Sequence, residues 1–130
     1  MKLTNSEMLE KMESLTDFLD RNDLIGYSAA RNYRRLSDAS MEYSKKQREA
    51  MSKYGEQEFD KDGNQTGNMV IQIGSDNFKK FQQFLYPYAM IEHDVTIFKI
   101  PYSEVIGKLT GSEILKIDWM LEDSDKPADN

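Results

Sequence analysis

Apolar positions along this chain recur with two different periods, and the change between them divides it. From Asn5 or Ser6 to about Asp20, the residues Met8, Leu9, Met12, Leu15, Phe18 and Leu19 fall at steps of three and four. That spacing predicts an amphipathic helix with its N-cap at Asn5 or Ser6. Arg21 to Gly26 is a short polar connection of the length that joins antiparallel neighbours. Ser28 to Tyr54 then contains no Gly or Pro and is closed by Gly55, which predicts one long second helix. Its seam is Ala29, Tyr33, Leu36, Ser40, Tyr43, Gln47, Ala50 and Tyr54. The period is helical, but Ala, Ser and Gln bury little, so three tyrosines supply most of the area. At about 1.5 Å per residue this helix is about 40 Å long, roughly twice the first, so its far end needs a cover from outside the hairpin.

After Gly55 the period shortens. Asp62-Gly63 and Thr66-Gly67-Asn68 are turn signals, and Met69 to Ile73 alternates as a strand, with the segment around Phe59 as its hairpin partner. Gly74 ends that strand and Ser75 caps a helix with Phe78, Phe81, Phe84, Leu85 and Tyr88 on one face; Pro87 kinks or ends it. Val95 to Ile100 reads as another strand, bounded by Pro101. Ser103 to Lys108 is a short helix or turn, and Thr110 with Glu113 forms a capping box that opens a last helix from Ser112 to Asp123. The expected fold is α+β and mainly helical: an N-terminal antiparallel helical hairpin, a small antiparallel sheet and short C-terminal helices. Residues 1–122 are expected to form one globular domain, and 123–130 an acidic, disordered tail.

Composition narrows the chemistry. The 130 residues carry a net charge of -6 and no cysteine. Disulfides, thiolate metal sites and a cysteine nucleophile are excluded, and nucleic-acid binding, which normally shows a basic surplus, is disfavoured. The basic residues Arg31, Arg34, Arg35, Lys45, Lys46 and Arg48 are interspersed with Asp38, Glu42 and Glu49, and pairs such as Glu42–Lys46, Lys45–Glu49 and Glu49–Lys53 sit four apart. A solvated, ion-paired face is the simpler reading. No apolar run approaches the roughly twenty residues of a membrane span, and the acidic N-terminus does not suit a secretory signal.

Candidate sites are few. Asp60, Asp62 and Asn64 imitate the start of a calcium loop, but Gln65 and Ile71 occupy the positions that close such a site, so a polar turn is expected. His93 is the only histidine, too few nitrogen ligands for a metal, and reads as a surface residue between Glu92 and Asp94. No catalytic residue, cofactor or metal is nominated. Tyr43 and Tyr54, where the seam lacks an obvious cover, and Trp119, the only tryptophan, are the candidate protein contacts.

The order of these features also carries a resemblance, strongest in Lys99-Ile100-Pro101-Tyr102-Ser103-Glu104-Val105 and in the stretch from Leu109 to Asp123. It resembles a family of small proteins of unknown function encoded in the late, tail-to-lysis region of tailed phages and prophages of Gram-positive bacteria. The resemblance implies a setting, the host cytoplasm during infection or the virion itself, and no catalytic residues. Two functions are then expected to compete. One is a non-catalytic accessory protein, a tail component or assembly factor, that contacts another protein or a second copy of itself. The other is an acidic inhibitor of a host enzyme or antiviral nuclease, with Glu122, Asp123, Asp125 and Asp129 set against a phosphate-binding groove.

Overall fold

The structure, a computed structural model, describes residues 1–122, so the acidic stretch with Asp123, Asp125 and Asp129 lies outside the described residues. The chain is α+β and mainly helical, in the order β1 (Lys2–Thr4), α1 (Asn5–Leu15), α2 (Leu24–Ala39), α3 (Met41–Tyr54), β2 (Glu56–Phe59), β3 (Gln65–Val70), α4 (Asp76–Ala89), β4 (Glu92–Asp94), β5 (Ile100–Pro101), α5 (Gly111–Ile117) and β6 (Leu121–Glu122).

The first helix is capped by Thr4, one residue earlier than the sequence predicts. Thr4 Oγ1 accepts from the Glu7 amide at 3.1 Å and the Glu7 carboxylate accepts from the Thr4 amide at 2.9 Å. This capping box satisfies two N–H groups that a helix start leaves without partners. The bonds from Thr4 hold the Glu7 carboxyl below its ordinary range. The predicted box at Thr110 and Glu113 forms in the same way at the start of α5.

Helix α2 starts at Leu24, with Asp23 as N-cap accepting from the Gly26 amide at 3.2 Å and held by Arg21 at 2.6 Å. Gly26 is required here, because a Cβ would lie 2.1 Å from the Arg21 carbonyl oxygen. Helices α1 and α2 pack against each other as the predicted hairpin.

The long helix is divided into α2 and α3 at Ser40, whose φ of -98° and ψ of 9° leave the helical region. The cause is local. Ser40 Oγ donates to the Leu36 carbonyl oxygen at 2.7 Å, the back-bonding that bends helices. Bond continuity survives the bend, since the Ser40 amide reaches Leu36 O and the Ser44 amide reaches Ser40 O, both at 3.0 Å.

The predicted single sheet is three separate two-stranded ladders: β1–β4 and β2–β3 antiparallel, β5–β6 parallel. The β2–β3 hairpin forms, but β3 is displaced from the expected Met69–Ile73: it starts at Gln65, takes in Thr66-Gly67-Asn68, which the sequence predicts to turn, and stops at Val70, before Ile71 and Ile73. The stretch from Val95 to Lys99 joins no ladder: the Val95 amide donates to Met1 O at 2.8 Å and its carbonyl accepts from the N-terminal ammonium at 3.0 Å, and beyond it side chains take backbone groups. Asn32 Oδ1 accepts from the Phe98 amide at 2.7 Å while Asn32 Nδ2 donates to the Phe98 carbonyl at 2.8 Å. Arg35 donates to the Thr96 carbonyl at 2.9 Å. A buried asparagine on α2 thus stands in for a neighbouring strand. The last predicted helix also shortens: α5 ends at Ile117, a 3-10 turn covers Asp118–Met120, and Leu121 enters β6. Helix α4 runs past Pro87 to Ala89.

Two apolar clusters result. The larger joins Met8, Leu15 and Phe18 to Ile25, Ala29 and Leu36 and to Val95, Ile100, Val105, Ile117, Met120 and Leu121. The smaller has Tyr43, Ala50 and Leu85 at its centre, with Leu9, Phe81, Phe84 and Tyr88 around them.

Candidate functional site

The smaller cluster adjoins a cleft of about 260 Å³ where α2, α3, the end of α4 and β4 meet. Its floor is set by Asn5, the first residue of α1, which is only 4% exposed. The Asn5 amide donates to Ile91 O at 3.0 Å, and Asn5 Nδ2 donates at 2.8 Å to Tyr88 O, which also accepts from the Ile91 amide at 3.3 Å. The Nδ2 bond fixes which way the side-chain amide faces. Among the described residues, no protein group donates to Asn5 Oδ1, although the atom is buried. A buried acceptor in that condition is uncommon, since such groups are nearly always paired.

The walls come from Ala39, Tyr43, Tyr88 and Ile91, with Glu42, Lys46 and His93 completing the lining. Burial pushes the Tyr43 hydroxyl up from its ordinary pKa. Lys46 lies 4.9 Å from the Tyr88 ring centroid and 3.2 Å from Glu49, whose hydrogen bond raises the Lys46 ammonium and lowers its own carboxyl. His93 is half-buried opposite Leu3 in the β1–β4 ladder, so it is a pocket residue and not the surface group expected.

The three candidate contacts do not gather. Tyr43 is 7% exposed and belongs to the smaller cluster; the cover that its seam needs is α4. Tyr54 is half-buried, with its ring 6.2 Å from that of Phe84. Trp119 packs against the larger cluster instead, its Nε1 donating to Lys116 O at 3.1 Å and Lys11 lying 5.2 Å over its ring.

Several basic residues of the long helix are likewise used within the chain, while Arg34 and Arg48 are exposed. Arg31 sits 4.8 Å over the Phe98 ring and Arg35 holds Thr96. Of the three pairs expected four apart, only Glu49–Lys53 forms, at 3.6 Å; Lys45 pairs with Glu42 and Lys46 with Glu49, three apart. The turn from Asp60 to Asn64 uses the Asp60 carboxylate as a local acceptor for the Asp62 and Asn64 amides, both at 2.9 Å. Among the described residues no cluster of three or more His, Cys, Asp or Glu is placed to hold a metal, and no helix is long and apolar enough to cross a membrane.

Exposed apolar side chains stand on β2–β3 and just beyond its end. Phe59 is 58% exposed, Val70 40% and Ile73 83%. The two strands pair only with each other, so the outer edge of each presents unpaired backbone groups. Comparisons with protein-family models, with curated proteins and with solved structures gave no match.

Proposed function

We propose that this chain is a non-catalytic accessory protein that works by contact with another protein, in the phage setting implied by the resemblance, and that the β2–β3 arm is what it presents. The observation that supports this reading is the exposure of Phe59 and Val70 on a two-stranded arm with free edges, and of Ile73 three residues beyond its end. Two strands alone are marginally stable in water, and an extended segment of a partner adds main-chain hydrogen bonds at such an edge. The arm also selects a kind of partner. Glu56, Glu58, Asp60 and Asp62 stand against Lys61 alone, so a second copy of the same acidic arm is repelled and a basic face on a particle or host protein is favoured.

The test is a pull-down from infected cells and from disrupted particles, comparing the native chain with a Phe59→Ser, Ile73→Ser double variant by quantitative mass spectrometry. A protein retained at fixed ratio by the native chain, and released by the double variant and by raised salt, is the expected outcome. Retention of the same proteins by both, or of none by either, contradicts the proposal. A concentration-dependent dimer in light scattering, abolished by the double variant, replaces the basic partner with a second copy.

A further inference from the structure

We infer that the outward face of α2 docks an amphipathic helix of a partner protein, one whose seam carries carboxylates between apolar residues. Leu24, Tyr27, Arg31, Arg34 and Asp38 follow one another at steps of three and four and are all exposed, opposite the buried Ile25, Ala29, Asn32 and Leu36. The face is basic in a chain of net charge -6. Among the described residues, ion pairs form just before α2, at Arg21, and along α3, at Lys45, Lys46 and Lys53, but none includes Arg31, Arg34 or Arg35. Asp38, the one carboxylate of α2, pairs with no cation, and Asp94, which shares a groove with Arg35 and Asp38, is held by the N-terminal ammonium at 3.2 Å. The 95–99 stretch bonded to the flank of α2 adds Lys99 and no acid.

Two of these guanidinium groups are already held in place. Arg31 lies 5.7 Å from the Tyr27 ring centroid and 4.8 Å from that of Phe98 and donates to Tyr27 Oη at 3.1 Å, while Arg35 donates to Thr96 O at 2.9 Å. Each fork keeps further N–H donors, so an arriving carboxylate meets an ordered cation and less side-chain freedom is lost on binding. Leu24 and Tyr27 take the apolar residues of the seam, and a helix fits because side chains at steps of three and four interdigitate along the roughly 24 Å of α2. Other occupants match less well. Two copies pairing this face symmetrically bring arginine against arginine. A nucleic-acid strand supplies anions, but it meets Asp38 within the stripe and a net charge of -6 beyond it. The face lies on α2 and the β2–β3 arm beyond α3, so either is engaged without the other.

The experiment is an amide chemical-shift titration of the full chain with a synthetic helical peptide as long as α2, bearing Glu at the middle of a Leu seam, and separately with the same peptide bearing Gln in place of Glu. Saturable shifts at Tyr27, Arg31, Arg34 and Arg35 are expected with the Glu peptide. Binding of the Gln peptide, and of the Glu peptide to an Arg31→Gln, Arg34→Gln variant, is expected to be at least about fivefold weaker, as the loss of two exposed charge contacts implies. Absence of saturable shifts at these residues, equal affinity for the two peptides, or unchanged affinity in the double variant each overturns the inference. So does tighter binding of a single-stranded oligonucleotide at the same amides, which makes this a nucleic-acid face, and so do shifts there on raising protein concentration alone, which make the occupant a second copy. The comparison of the two peptides uses only the native chain, so it stands even if the variant fails to fold.

Discussion

The larger and the smaller apolar cluster are built from one chain under the same conditions and reach different degrees of completion. In the first, Phe18, Met8, Leu15, Ile25, Leu36, Ile100, Val105, Ile117 and Met120 are all less than 2% exposed. In the second, the fully enclosed residue is Ala50, with Leu85 and Tyr43 nearly so, while Phe81, Phe84 and Tyr88 stay half-buried. Each large side chain taken fully out of water contributes about 1.5–3 kcal/mol. The first region therefore holds most of the folding free energy, and the second, comprising α3, the hairpin and α4, is tied to it through the Ser40 bend, Leu9 and the Asn5–Tyr88 bond. A thin core beside exposed apolar residues is what a contact surface requires, since atoms committed to packing are not free for a partner.

The comparison is broken most severely by Phe18→Ala. Removing this ring from the larger cluster is expected to cost about 3–5 kcal/mol, and the whole chain unfolds in one denaturation transition of lower midpoint. Leu85→Ala, at the centre of the smaller cluster, is expected to cost about 2 kcal/mol, the low end for such a change. Its neighbours are half-buried and can collapse, so circular dichroism should show α3 and α4 loosening before α1 and α2.

Asp23→Ala removes the cap of α2 and its bond to Arg21, for an expected loss of about 1 kcal/mol. The Arg21 hydrogen bond, aided by the Gly26 amide, holds the Asp23 carboxyl below its ordinary range. Its contribution is then fully present above the ordinary carboxylate pKa and is lost as pH falls through the lowered folded value. Asp23→Asn, which keeps a capping oxygen, is expected to retain most of the stability and lose that part of the acid dependence, measurable by urea titrations across the acid range. Smallest of all, Ile73→Ser should change stability by less than about 0.5 kcal/mol, because the side chain is 83% exposed.

Features written in local sequence were legible. The Thr110–Glu113 box, the Ser75 cap, the turn at Asp62-Gly63 and the α1–α2 hairpin each depend on residues a few positions apart. The Thr4–Glu7 box is equally local and was open to the same reading; Asn5 and Ser6 offered competing caps. What the sequence hid is long-range. Asn32 meets Phe98 across 66 positions and Asn5 meets Tyr88 across 83, and neither residue type announces such a partner. Without Asn32 in view, Val95 to Ile100 has every property of a strand. The bend at Ser40 lies between these extremes, for serine is compatible with a helix until its hydroxyl turns back on Leu36. The same limit applies to the cleft: its lining comes from three separate stretches of chain, at Asn5, at 39–46 and at 88–93, so no motif marks it.

Native-state hydrogen exchange, resolved amide by amide, tests the difference between the two regions most directly. The amides of Leu15 and Leu36 should exchange only through global unfolding, whereas those of Met69 and Leu85 should exchange through a local opening of lower free energy and weak denaturant dependence. A single free energy of opening shared by all four would show that the smaller cluster is as secure as the larger, and would contradict the account.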